Sequence, residues 1–128
     1  MEVLVFSKHS RDYIGDLKAV AGTFASVIQL DDETRCKAAL ARCLDGETIL
    51  IFCIRNEADM AFLEAQARQF IDMRLIICLE THDAELSARA YGLKPRLVLD
   101  PRASPALLPG VVKGILKGFL SYKKQLSI

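Results

Sequence analysis

The sequence has no tryptophan, and its aromatic side chains are three tyrosines and six phenylalanines scattered along 128 residues. That excludes the base-stacking platform on which single-stranded nucleic-acid binders rely. Glycine and proline are also scarce, at seven and four residues, which excludes collagen-like and low-complexity chains. A surplus of either charge is missing: 17 Lys and Arg stand against 16 Asp and Glu, so no global field draws the chain to nucleic acid or to an anionic membrane. No apolar run reaches the ~18 to 20 residues that cross a bilayer. Met1-Glu2-Val3-Leu4 leads directly into a strand pattern rather than a signal peptide, so a cytoplasmic protein is expected. The four cysteines, Cys36, Cys43, Cys53 and Cys78, contain no C-x-x-C and sit in apolar segments. They read as reduced, buried thiols, with no disulfide, zinc site or other cofactor assigned.

What is present is a chain that is 52% hydrophobic and long enough for one sizeable core, so a single domain spanning residues 1–128 is expected. Short apolar runs alternate with longer segments of helical spacing, the pattern of repeated βα units around a parallel sheet. Five strands are predicted: Glu2 to Phe6, Ser26 to Leu30, Thr48 to Ile54, Arg74 to Leu79 and Arg96 to Leu99. The third and fourth, TILIFCI and RLIICL, are apolar without alternation, as in strands covered on both faces.

Helix starts and stops are marked by capping residues. Ser10 caps a segment running to about Gly22, and Asp31 or Asp32 caps one ending near Leu44 with Asp45-Gly46 as its exit. Asn56 caps a third helix carrying Phe62, Leu63 and Phe70. Thr81 or Asp83 caps a fourth that ends at Gly92, before Lys94-Pro95 imposes extended backbone. Ser104-Pro105 opens the last helix. Right-handed crossovers then give a three-layer α/β sandwich, with helices on both faces of the sheet.

In such a sheet, ligands bind beyond the carboxyl ends of the strands. The loops there hold Ser7, Lys8, His9 and Ser10; Cys53, Arg55, Asn56 and Glu57; Glu80, Thr81, His82 and Asp83; and Asp100 and Pro101. Cys53 reads first as a small buried side chain, with Arg55 close enough in sequence to suggest a cation-stabilised thiolate as the alternative. His9 and His82 are candidates for acid–base or metal roles, against capping or solvated ones. Ser7-Lys8-His9-Ser10 enters a helix N-terminus but contains no glycine, so helix capping competes with anion binding there. Cys36 and Cys43 share a helix face with Ala39 and Leu40, and Met60 and Met73 read as core filling.

The stretch Ala84-Glu-Leu-Ser-Ala-Arg-Ala-Tyr-Gly92, then Arg96-Leu-Val-Leu-Asp-Pro101, then a closing amphipathic helix resembles the end of the receiver domain of two-component response regulators. The likeness covers the whole order of elements. It implies a flavodoxin-like fold, a five-stranded parallel sheet in the order 2-1-3-4-5, and a role in signalling. Receivers hold magnesium with an acidic pair after the first strand and accept phosphate on an aspartate after the third. The positions matching the pair are Ser7 and Lys8, the acceptor position falls on Cys53, and the family's lysine after the fifth strand is replaced by Asp100. Leu79, or Thr81 under a two-residue shift, falls at the family's switch Ser or Thr. A thiol and an ammonium group do not replace carboxylates around a hard cation, so aspartyl phosphorylation is expected to be absent. The reversed polarity suggests a Lys8 to Asp100 ion pair, set against two solvated charges that never meet.

In the last helix Leu108, Val111, Val112, Ile115, Leu116, Phe119 and Leu120 form a stripe, while Gly110, Gly114 and Gly118 recur every four residues roughly opposite it, beside Lys113 and Lys117. Interior glycines cost about 1 kcal/mol each relative to Ala, which suggests a face where a partner backbone approaches, set against drift on a solvated face. The expectation is a non-catalytic pseudo-receiver that binds a protein partner and forms a homodimer through the last helix, without nucleic acid or membrane. The alternatives are a small-molecule or enzymatic site built from Lys8, His9, Arg55, His82 and Asp100, and a phosphoacceptor using Glu80 or Asp100.

Overall fold

Along each strand successive side chains point to opposite faces, and here both faces are apolar, so each must be covered by helices. The computed structural model describes residues 2–8, 14–22, 25–42, 48–69, 73–101 and 104–126. In chain order these form β1 (Glu2–Phe6), α1 (Ile14–Ala21), β2 (Ser26–Leu30), α2 (Glu33–Arg42), β3 (Thr48–Ile54), α3 (Glu57–Ala65), a 3-10 turn at Ala67–Gln69, β4 (Arg74–Leu79), α4 (Ala84–Gly92), β5 (Leu97–Leu99) and α5 (Ser104–Leu126). The strands make one parallel sheet in the order β2-β1-β3-β4-β5. All seven residues of β3 are buried, consistent with its unbroken apolar run and its place at the centre.

Strand alternation divides the core in two. Leu4, Phe6, Leu50, Phe52, Ile54, Leu75, Ile77 and Leu79 face α2, α3 and α4, where they meet Leu40, Met60, Leu63 and Leu86. Val3, Val5, Ile49, Ile51, Cys53, Ile76 and Cys78 face the opposite way, toward Leu17 of α1 and Leu108, Val112 and Leu116 of α5. Burying each large aliphatic side chain contributes about 1.5–3 kcal/mol relative to leaving it exposed. The first face also holds the aromatic cluster, with Phe6 stacked on Phe52 at 4.4 Å between ring centroids and Phe62 5.3 Å from Phe6.

The caps follow local chemistry. Asn56 Oδ1 accepts from Asp59 N–H, and Asp83 Oδ1 accepts from the N–H groups of Glu85 and Leu86, so Asp83 rather than Thr81 caps α4. Asp32 accepts from Arg35 N–H at the start of α2. Ser10, and the expected exit from α2 at Leu44, Asp45 and Gly46, lie outside the described residues, as does Cys43.

Three local expectations need correction. The third helix stops at Ala65 and tightens into the 3-10 turn, so Phe70 lies beyond it and outside the described residues. Lys94 has φ 54°, a left-handed conformation instead of the extended backbone expected before Pro95. The end of α4 imposes it: Leu93 and Lys94 donate their N–H groups to the carbonyls of Ala90 and Tyr91, closing the helix as a left-handed residue commonly does. Arg96 stays outside β5, although its N–H donates to Leu75 O at 2.7 Å and starts that strand's pairing.

Candidate functional site

The polar loop residues collect at the carboxyl edge of the sheet, but alternation distributes them to different sides. Ser7 continues β1 and Cys53 is the second-to-last residue of β3, and their side chains hydrogen-bond to each other. Cys53 is the register neighbour of Cys78 on β4, and the two thiols also hydrogen-bond. That contact and burial hold the Cys53 thiol well above its ordinary range; the charge of Glu80 adds to the rise and the Ser7 hydrogen bond opposes it. Cys53 is 4% exposed and Cys78 is fully buried. The group is therefore a buried cluster of two thiols and one hydroxyl on the α1–α5 side.

Lys8, the next residue after Ser7, lies on the other side. Its Nζ is 3.6 Å from Oδ1 of Asp59 and stands 6.0 Å from the centroid of the Phe6 ring. Asp59 is buried in the first turn of α3, where its Oδ2 also accepts the N–H of Arg55 at 3.0 Å. The expected partner, Asp100, is not the one found. Strand order explains the correction: β1 neighbours β3 and the helix that follows it, whereas β5 lies two strands further on. Asp59 went unnoticed in the sequence because it lies inside a helix; the signal that could have found it is the Asn56-x-x-Asp59 spacing of a capping pair.

A third group surrounds the β4–α4 loop. An open cleft of about 350 Å³ is lined by Arg55, Asn56, Glu57, Thr81, His82, Asp83 and neighbouring α4 residues. A second, of about 320 Å³, has Leu79, Thr81, His82, Ser87, Asp100 and Pro101 in its wall. Thr81 Oγ1 donates to Arg55 O at 3.4 Å, tying the two loops together. Thus His82 is shared by both clefts, with Arg55 in one and Asp100 in the other, while Lys8 lines neither. Among the described residues, Lys8, Arg55, His82 and Asp100 do not all line either of these two clefts, and His9 lies outside the described residues.

Leu79 packs among the Phe6 and Phe52 side chains, so the β4 side chain beside Cys53 is Cys78. Below the clefts, Arg89 of α4 bridges Glu57 and Glu64 of α3, and its guanidinium lowers the Glu64 carboxyl below its ordinary range. Gly110, Gly114, Gly118, Lys113 and Lys117 are exposed on α5, opposite the buried Leu108, Val112 and Leu116. A methyl group placed on any of the three glycines would meet nothing within 4 Å. The side chains of Phe119 and Leu120 lie outside the described residues. Among the described residues no helix is long and apolar enough to cross a membrane.

No family model matches the chain, and no curated protein matches it in sequence. Solved structures do. A CheY-like response regulator receiver domain from Methanospirillum hungatei superposes with a TM-score of 0.69 at 13% identity, covering 91% of this chain and 94% of that one. The N-terminal domain of an uncharacterized protein from Wolinella succinogenes gives 0.68 at 16% identity, covering 98% and 97%. A response regulator from Thermotoga maritima gives 0.66 at 16%, covering 91% and 97%. The chain therefore has the flavodoxin-like fold of response-regulator receiver domains, with the strand order expected from the resemblance.

Proposed function

We propose that this protein is a receiver-like interaction module of a signalling or regulatory assembly that takes no phosphate on aspartate and acts by presenting surfaces to a protein partner. The observation that carries this reading is the Lys8–Asp59 pair. An ammonium group stands where the resemblance places half of the acidic pair, and it already neutralises a buried carboxylate. The acceptor position, Cys53, holds a thiol enclosed by Ser7 and Cys78. Neither arrangement offers the several oxygen ligands a hard divalent cation requires. Such a module is non-catalytic and needs no cofactor.

The partner surface in this reading includes the outer face of α5. Three exposed glycines with open space above them let a second helix backbone approach, and a homodimer formed through that face is the simplest closed assembly. Incubation with acetyl phosphate and magnesium, followed by intact-mass measurement, tests the phosphate half of the proposal. An unmodified mass is expected; one added phosphoryl group, on Glu80, Asp100 or elsewhere, would overturn it. The second reading, a small-molecule site, is favoured by the two clefts that meet at His82. A retained ligand in the purified protein, displaced on His82→Ala, would favour that reading over the first.

A further inference from the structure

Cys53 and Cys78 stand in register on the two central strands β3 and β4, and both side chains belong to the core cluster on the α1–α5 side. Adjacent strands run ~4.8 Å apart, which places register neighbours inside the ~4.4–6.8 Å range of Cα separations that disulfides span. The side chains leave the sheet on the same face, and the thiols are already within hydrogen-bonding reach. Cys36 is buried in the other cluster, beyond the sheet, and cannot compete for either sulfur.

We propose that Cys53 and Cys78 form a reversible disulfide, making the carboxyl edge of the sheet a modification site that responds to hydrogen peroxide. The Cys53 sulfur attacks the peroxide O–O bond, releases its proton and becomes a sulfenic acid, and one water leaves. The Cys78 sulfur then displaces the sulfenic hydroxyl, which leaves as a second water with the Cys78 proton. Two thiols are oxidised by two electrons in all, and the peroxide oxygens are reduced to water. Two equivalents of a small thiol restore both cysteines by exchange through a mixed disulfide and leave as their own disulfide.

Two features make the pair a switch rather than a permanent brace. The Cβ atoms of strand neighbours lie somewhat farther apart than the ~3.8 Å of a relaxed bridge, so closure draws β3 toward β4, and strained disulfides are the readily reduced ones. Cys53 also sits one residue before the end of β3, and Arg55 and the α3 cap Asn56 follow directly. Closure therefore shifts the edge that carries Ser7 and the start of α3. Burial slows the first step, because attack requires the thiolate.

The test treats the full chain with hydrogen peroxide in the absence of denaturant, blocks remaining thiols under unfolding conditions and maps the peptides by mass. Trypsin leaves Cys43 and Cys53 on one peptide, residues 43–55, so a second cleavage before Asp45 is needed to separate them. The expected result is a peptide pair joined through Cys53 and Cys78 with the loss of two hydrogen masses, Cys36 still blocked, and full reversal by dithiothreitol. Cys78→Ser should instead leave a Cys53 sulfenic acid that dimedone traps. Two free, blockable thiols after treatment would overturn the inference. So would added oxygen on Cys53 beside a free Cys78, or a bond from Cys53 to any other cysteine. The outcome is independent of the interaction reading, since the bond is read from peptide mass and association from subunit count.

Discussion

The two sides of the sheet meet the same edge with opposite chemistry. Toward α1 and α5 the edge is buried: Ser7, Cys53 and Cys78 form a cluster of a hydroxyl and two thiols above an aliphatic core. Toward α2, α3 and α4 it is charged and more open: Lys8 pairs with Asp59 over an aromatic core, and the clefts around His82 open beside it. Residues adjacent in sequence, Ser7 and Lys8 or Phe52 and Cys53, are divided between these environments by strand alternation alone. A polar loop at a strand end is therefore two half-sites, one per face, and only residues of the same parity on neighbouring strands come together.

The largest expected effect that sharpens this contrast comes from a pair of chain neighbours. Phe52→Ala removes the ring stacked on Phe6 and should cost about 3–5 kcal/mol in urea unfolding, whereas Cys53→Ala, one residue on and facing the other way, should cost about 1 kcal/mol. Equal losses would show that the two faces are not distinct in packing. Next comes the charged half. Asp59→Ala leaves Lys8 and the Arg55 N–H without their shared acceptor and should cost about 1–3 kcal/mol. Lys8→Ala should cost about 1 kcal/mol or less, because Asp59 keeps its backbone donor. A larger loss for Lys8 than for Asp59 would contradict that ordering.

A pH dependence links both faces. Burial, helped by the charge of Glu33, pushes the Cys36 thiol from its ordinary 9.0 up to about 12, and Cys53 is raised on the other face. Below pH 9 both states keep these protons and stability is unaffected; above it the unfolded chain ionises first, so folding stability should fall from pH 9 toward pH 12. Urea midpoints followed through that range check it, and Cys36→Ala should flatten part of the decline. The smallest effect on folding concerns the exposed outer face of α5. Gly114→Leu should leave stability unchanged or slightly raised yet weaken self-association in sedimentation measurements; unaltered association would remove this face from the interface.

Much of this architecture was readable in the residues themselves. The unalternating runs of β3 and β4 and the Asn56 and Asp83 caps follow directly from local chemistry, and both ends of four of the five strands coincide with those observed. Lys94 did not, because its left-handed backbone is set by the closing turn of α4 and overrides the restriction imposed by Pro95. The site was less readable for a different reason. Lys8 to Asp100 is a plausible exchange of charges in sequence, but the partner of Lys8 is decided by which strand lies next to β1. Cys78 was equally hidden, since its pairing with Cys53 depends on the register between β3 and β4 and on which face each thiol takes.

The most direct test of the interaction-module account is native mass spectrometry of the untagged protein, at several concentrations, after incubation with acetyl phosphate and magnesium. Two unmodified chains held together with no retained small molecule are expected. A monomer carrying a phosphoryl group or a defined ligand mass would contradict the account and return the carboxyl edge of the sheet to ligand chemistry.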